Sequence, residues 1–342
     1  MSFLYAFLRT LEPPTDINIL MYHGFTDQTT FDGMANHHGK HLHVDKFGEQ
    51  VRYLKDHYRI IALPDLVACI SARKSIPPRS VVITIDDGYR SNFTLAYPVL
   101  KEFAAPAAIF TATDFIGRKS FLWTDRVEHA LNTTKEKRLQ VVLDGAACSY
   151  DLADRGSRQA ADVDIKRRLK RSSACQRDPV VKDIEDKLGQ RLSFGQNVPA
   201  MYAPLQPSEI REMTGSGLVS IGSHTCSHVI MTACPPEEMK AELQASKQHV
   251  EEWTARPCTL FSYPNGGTGD FNDASAKILK DLGYLCALTT IIGTNKASAD
   301  IFKLKRLNIH NDGDMGGFVR TLSGLGRFLR RIKNAGPARE QY

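Results

Sequence analysis

The run Val81-Val82-Ile83-Thr84-Ile85-Asp86-Asp87-Gly88 constrains the fold of this chain more than any other stretch. Five apolar or β-branched residues in succession read as a strand buried on both faces. Strands of that kind belong to parallel sheets and barrels sheathed in helices. Asp86 and Asp87 then stand at the carboxyl end of the strand, where α/β folds carry their chemistry. Successive strand side chains point to opposite faces. Two neighbouring carboxylates therefore serve one site only where the strand ends and the backbone turns, and Gly88 permits that turn. An ordinary solvated turn after a strand also reads Asp-Asp-Gly, so this run alone leaves both readings open.

A second run repeats the form. Leu218-Val219-Ser220-Ile221-Gly222 has a short strand pattern, and Ser223-His224-Thr225-Cys226-Ser227-His228 follows it. Two histidines four residues apart lie on one face of a helical turn, within reach of one metal ion. A polar turn or cap is the plain alternative. The strand leading in, and the hydroxyls of Ser223 and Thr225 around His224, count against it. One Asp with two His makes a facial triad that leaves positions open for water and substrate.

Together these motifs resemble those of the polysaccharide deacetylases, carbohydrate esterase family 4 with its NodB-like domain. That family's first motif is Thr-Phe-Asp-Asp-Gly, and Thr84-Ile85-Asp86-Asp87-Gly88 matches it with Ile for Phe. Its second motif, His-Ser/Thr-x-x-His, is matched by His224-Thr225-Cys226-Ser227-His228. The resemblance covers roughly Ile17 to Asp312, apart from an insertion. It implies an α/β fold, a distorted (β/α) barrel with a mainly helical insertion. It further implies Asp86 as catalytic base and Asp87, His224 and His228 as ligands of a divalent metal. Zn²⁺ comes first for that donor set, with Co²⁺, Mn²⁺ and Ni²⁺ as alternatives.

The family's third motif, Arg-x-Pro-Tyr, returns altered as Ser262-Tyr263-Pro264-Asn265. In the family the last position matters through its backbone N–H, which binds the oxyanion, and Asn265 still supplies one. Tyr263 falls beside it on the substrate side. The missing arginine is the larger departure, because it orients the catalytic Asp. Arg306, on a neighbouring strand, is the candidate to replace it, since an Asp–Arg pair aligns the carboxylate and keeps it ionised. Leu307-Asn308-Ile309-His310 fits the family's Leu-x-x-His motif, whose His is the general acid. His23, at the end of the strand pattern Ile17–Tyr22, is the rival for that role.

Along the rest of the chain, strand and helix patterns alternate at short spacing. Val44–Tyr58 reads as a helix, Tyr58–Leu63 as the second strand, Asn92–Phe103 as a helix and Ala107–Ala112 as a strand. Further strands fall at 258–263, 284–290 and 302–309. From 123 to 205 the pattern changes to short helices and helix-and-strand pieces, an insertion that would cap the site's mouth. It holds the basic run 166–171, read as a solvated helix face. A contact for a phosphate-bearing sugar is the sharper alternative. Residues 316–342 form a basic amphipathic helix, with Phe318, Leu322, Leu325, Leu329 and Ile332 in one stripe. Packing on the barrel is the plain reading; peripheral contact with an anionic membrane is the other.

The chain is expected to be a single catalytic domain over residues 1–342. Seven scattered cysteines without Cys-x-x-Cys pairs argue against a cysteine zinc site and a disulfide framework. Free thiols, and no signal-peptide or spanning pattern, lead to the expectation of a cytoplasmic protein, with the inner membrane as a peripheral setting. A net charge of +6 without aromatics interleaved in a basic patch gives no nucleic-acid partner. The expected activity, implied by the resemblance, is removal of N-acetyl groups from an amino sugar. The carrier would be a surface polysaccharide, a lipopolysaccharide or a lipid- or nucleotide-linked precursor. A metal-dependent amidase or imidase on a non-sugar substrate, and a non-catalytic sugar-binding relic, are the alternatives.

Overall fold

The computed structural model describes residues 15–195, 198–310 and 313–323. Seven parallel strands close into a barrel: β1 (Asn18–Tyr22), β2 (Ser80–Ile85), β3 (Ala107–Thr111), β4 (Val219–Ser223), β5 (Leu260–Ser262), β6 (Cys286–Ile292) and β7 (Leu304–Asn308). Each pairs with the next in chain order, and β7 returns to β1 through Leu20 opposite Leu307. Because every pairing is parallel, all seven carboxyl ends lie on one face. β1, β2 and β3 are buried along their whole length, as unalternating apolar runs require when helices cover the outside.

The stretch read as the second strand does not join the ring. Only Arg59–Ile60 pairs, with Ser80 and Val81 at the foot of β2. Pro64 opens the helix Leu63–Ser71 directly afterwards, which leaves no length for a barrel strand. The helix after β2 opens with a π turn, Asn92–Ala96, before Tyr97–Glu102 continues as α. Wide turns of this kind gather at functional sites. Here the turn buries Asn92, whose Nδ2 donates to the carbonyl of His23 at 2.7 Å and ties the ends of β1 and β2 together.

Between residues 123 and 205 the chain builds a helix Trp123–Thr133, a hairpin Arg138–Leu143 with Ala146–Asp151, and helices Arg155–Leu169 and Ala174–Leu188. These enclose their own apolar cluster, including Trp123, Val127, Leu131, Leu139, Val141, Ile165, Val181 and Ile184. The basic run is paired rather than solvated at its start: Lys166 faces inward to Asp162 and Glu128, and Arg167 and Arg168 bond Asp164. The segment 32–41 lies on this insertion. Met34 N–H donates to Asn132 Oδ1 and Asn36 N–H to Glu128 Oε1. Of the expected C-terminal helix, Met315–Ser323 is described, with Phe318, Val319 and Leu322 buried and Phe318 edge-on to Tyr53. The remainder lies outside the described residues. No helix among the described residues is long and apolar enough to cross a membrane.

All seven cysteines are free thiols. Burial pushes the thiols of Cys226, Cys234, Cys258 and Cys286 up to about 12, whereas Cys175 is exposed. The thiolate is the reactive species. Brief alkylation of the native protein at pH 8 should therefore label Cys175 and leave those four unmodified by peptide mass spectrometry. Equal native labelling of all seven would contradict the packing.

Candidate active site

Asp86 closes β2 with its backbone N–H on the Tyr22 carbonyl, 2.9 Å away. Its carboxylate takes a two-pronged bond from Arg306 of β7, Nη1 to Oδ1 at 2.8 Å and Nη2 to Oδ2 at 2.7 Å. The guanidinium is wholly buried and fully engaged: Nε donates to Thr289 O, Nη1 also to Thr84 Oγ1 and Nη2 also to Ser262 Oγ. Ser262, where the family motif has arginine, is small enough to leave this space and donates to Asp86 Oδ2 at 3.3 Å. Burial alone would raise the Asp86 carboxyl. The Arg306 charge overrides it and holds the group below the usual carboxylate range.

Asp87 turns away from the strand in the left-handed region, φ 78°, followed by Gly88 at φ 91°. That turn lets neighbouring carboxylates face one space. Asp87 Oδ1 is buried without a hydrogen-bond partner, 3.7 Å from His224 Nε2 and 3.4 Å from His228 Nε2. His224 Nδ1 lies 2.7 Å from the Ser262 carbonyl, which can only accept, so Nδ1 carries the proton and Nε2 presents its lone pair to Asp87. An orphaned carboxylate oxygen against an imidazole lone pair is repulsive unless a cation stands between them. The donor atoms of Asp87, His224 and His228 all lie within 4.8 Å of one another. This donor set fits a divalent transition metal.

The His-x-x-x-His segment is not a helical turn. Thr225 and His228 have φ of 62° and 54°, and the chain runs as an irregular, bent loop off β4. Non-glycine residues in that region need outside support. Here it comes from the helix Pro236–Thr254. Glu242 accepts from the backbone N–H of Cys226 and Ser227 and from Ser227 Oγ, at 2.7, 3.1 and 2.8 Å, and Ser246 Oγ donates to the Thr225 carbonyl. No sequence motif marks Glu242 or Ser246. A signal existed in the helix's buried stripe Met239, Leu243, Ser246, Val250, where one polar residue interrupts an apolar face. We expect Glu242→Ala to leave two backbone donors unpaired and to lower metal affinity about 10- to 100-fold, as loss of outer support does. Isothermal titration with Zn²⁺ measures this; unchanged affinity would show that the loop holds itself.

His23 is partly buried at the end of β1. Burial lowers its imidazole pKa, opposed by the nearby charges of Asp87 and Asp86. His310 lies two residues past the end of β7 and is exposed. Asn265 has φ 61°, its side chain is bonded to Asp270, and no bond from its backbone N–H is found among the described residues. Tyr263 requires a correction. It is fully buried, its hydroxyl donates to the Phe302 carbonyl, its ring stacks on Phe271 at 4.4 Å, and its N–H is taken by Leu288 O. Ser262 points inward to Asp86, so its strand neighbour points outward into the core and away from substrate. A further buried group, unanticipated from sequence, stands beside Asp87: Tyr89 donates to Asp125 Oδ2 at 2.7 Å, and Lys40 Nζ bonds both Tyr89 and Asp125.

The fold and the site thus define a closed parallel α/β barrel carrying an arginine-held carboxylate and a two-histidine, one-carboxylate set at its carboxyl face. The polysaccharide deacetylase profile matches residues 73–150 and 181–287, more than half of the chain, and the chain belongs to that family. Arg306, His310 and His23 lie outside the matched segments. YxkH of Bacillus subtilis (strain 168), itself named for this family, is 22% identical over 307 residues, 89% of this chain and 75% of its own length. The poly-beta-1,6-N-acetyl-D-glucosamine N-deacetylase of Staphylococcus epidermidis is 32% identical over 95 residues, 28% of this chain and 30% of that enzyme. Among solved structures, the Streptococcus pyogenes deacetylase PplD in complex with acetate superposes with a TM-score of 0.60. It is 18% identical, with 91% of this chain and 99% of that one covered. IcaB from Ammonifex degensii gives a TM-score of 0.59 at 16% identity, covering 90% and 97%. At these identities the two structures speak to the fold.

Proposed function

We propose that this chain is a metal-dependent hydrolase that removes N-acetyl groups from an amino sugar. The sugar belongs to a surface polysaccharide, a lipopolysaccharide or their lipid- or nucleotide-linked precursors. One observation carries the reading: a carboxylate kept ionised by Arg306 stands next to the orphaned Asp87 oxygen and its two imidazoles. Family membership and the stretch shared with the Staphylococcus epidermidis enzyme support the amide of an N-acetyl sugar as the bond cut.

Asp87, His224 and His228 would hold the metal. Bound there, a divalent cation supplies Lewis acidity toward the acetyl carbonyl and makes water a better nucleophile at neutral pH. Asp86 takes the proton of the attacking water. Arg306 holds its two oxygens in place and keeps them unprotonated until that moment. The Asn265 N–H donates to the oxygen on which charge develops. A histidine protonates the leaving amine: His310 by its motif position, with His23 at the end of β1 as the rival. Water adds across the amide, giving acetate and a free amino sugar.

The test is acetate release by zinc-loaded protein across N-acetylglucosamine oligomers, N-acetylated nucleotide-sugars and lipid-linked sugars. Release from one class supports the proposal and identifies the carrier. Turnover of small cyclic imides or formamides alone would replace the sugar with another amide. No turnover of any substrate with metal bound would leave a sugar-binding relic.

A further inference from the structure

A second cluster lies where the segment 32–41 meets the insertion. His37 and His38 both aim Nε2 at one oxygen, Asp162 Oδ2, at 2.9 and 3.0 Å, with their rings 3.7 Å apart. Asp162 is fully buried in the helix Arg155–Leu169. The His37 side chain is 6% exposed and that of His38 45%, which opens the cluster to solvent on one side. The three donor atoms lie within 4.8 Å of one another.

As a hydrogen-bonded clasp the cluster needs both imidazoles to carry Nε2 protons; with those protons on Nδ1, three lone-pair donors converge on one point. The surrounding charges also fall short. The buried carboxylates of Asp125, Glu128 and Asp162 face the ammonium groups of Lys40 and Lys166, leaving one negative charge uncompensated. In a tetrahedral site donors about 2.05 Å from one ion stand about 3.3 Å apart, so the 2.9 and 3.0 Å contacts need to open by only about 0.4 Å to admit one.

We propose that His37, His38 and Asp162 hold a second divalent transition-metal ion of the Zn²⁺ class, joining the 32–41 segment to the insertion. Two imidazole nitrogens and one carboxylate oxygen suit Zn²⁺, Ni²⁺ or Co²⁺. Lys166 Nζ stands 2.8 Å from the other oxygen, Asp162 Oδ1, as an ion pair. Ligating carboxylates are commonly held through their second oxygen in this way, so the ammonium steadies the ligand. The ion is structural. It fixes a loop whose next residues, Lys40 and His41, approach Tyr89, Asp125 and the Asp87 side of the site. The proposal stands apart from the proposed reaction, since none of its ligands takes part in it.

The test counts ions. Chelator-stripped protein is reloaded with Zn²⁺, desalted and analysed by mass spectrometry of the metal. Wild type should hold two ions per chain, H37A/H38A one, H224A/H228A one, and the fourfold variant none. H38A alone removes a half-exposed side chain and should keep the native circular dichroism while binding the second ion at least tenfold more weakly. Reloading should raise the Tm of H224A/H228A but leave that of the fourfold variant unchanged. If wild type and H37A/H38A hold the same number of ions, the cluster is a hydrogen-bonded clasp and the proposal fails.

Discussion

Asp86→Asn lowers kcat by about 10²–10⁴-fold, the range for loss of a general base, while KM and bound metal stay near wild type. The substitution keeps shape, and Asn Oδ1 can still accept from Arg306. It removes the one function the mechanism asks of this residue, taking a proton from water. Asp87, His224 and His228 are untouched, so metal content measured beside the kinetics should not fall. A variant with near-normal turnover would exclude Asp86 as base. A variant that loses metal as well would mean that Asp86 acts as a ligand.

Arg306→Ala has the larger effect on stability. It leaves a buried carboxylate without its cation and strands acceptors at Thr289 O and Ser262 Oγ. Breaking one side of a buried pair costs about 3–5 kcal/mol. The sign with pH follows from the depressed Asp86 carboxyl. Its contribution to stability is fully present above the unfolded value near pH 4 and fades as pH falls through the folded value. The wild-type advantage in urea unfolding should therefore be largest at pH 7 and shrink in acid. The double variant Asp86→Asn, Arg306→Ala should lose less than the two single losses combined, because the neutral amide no longer needs a partner. Strict additivity would mean that the pair is not coupled. Turnover by Arg306→Ala equal to wild type would deny Arg306 its orienting role.

The barrel was legible because its strands are covered on both faces and announce themselves as apolar runs, as at Ile83 and Ile109. Arg306 was legible from a gap: the motif position at Ser262 lacked its arginine, and β7 offered one. Other features were not. The four-residue spacing of His224 and His228 reports proximity, and it suggested a helical turn. The left-handed φ values at Thr225 and His228 depend on Glu242 and Ser246, whose bonds to this loop span 15 to 21 residues. Tyr263 was misplaced because a motif aligns positions and not faces, although strand parity beside Ser262 contained the answer. The contacts of Lys40 with Asp125 and of His37 with Asp162 join residues 85 and 125 apart, and no local pattern encodes them.

The central claim is that hydrolysis needs a metal held by Asp87, His224 and His228. The most direct measurement is acetate release from an N-acetylglucosamine oligomer by chelator-stripped protein titrated with Zn²⁺, alongside H224A/H228A. No release is expected without metal, recovery should saturate as the ion is added, and the variant should not recover at any zinc concentration. Full activity in the stripped protein, or equal recovery in H224A/H228A, would contradict it.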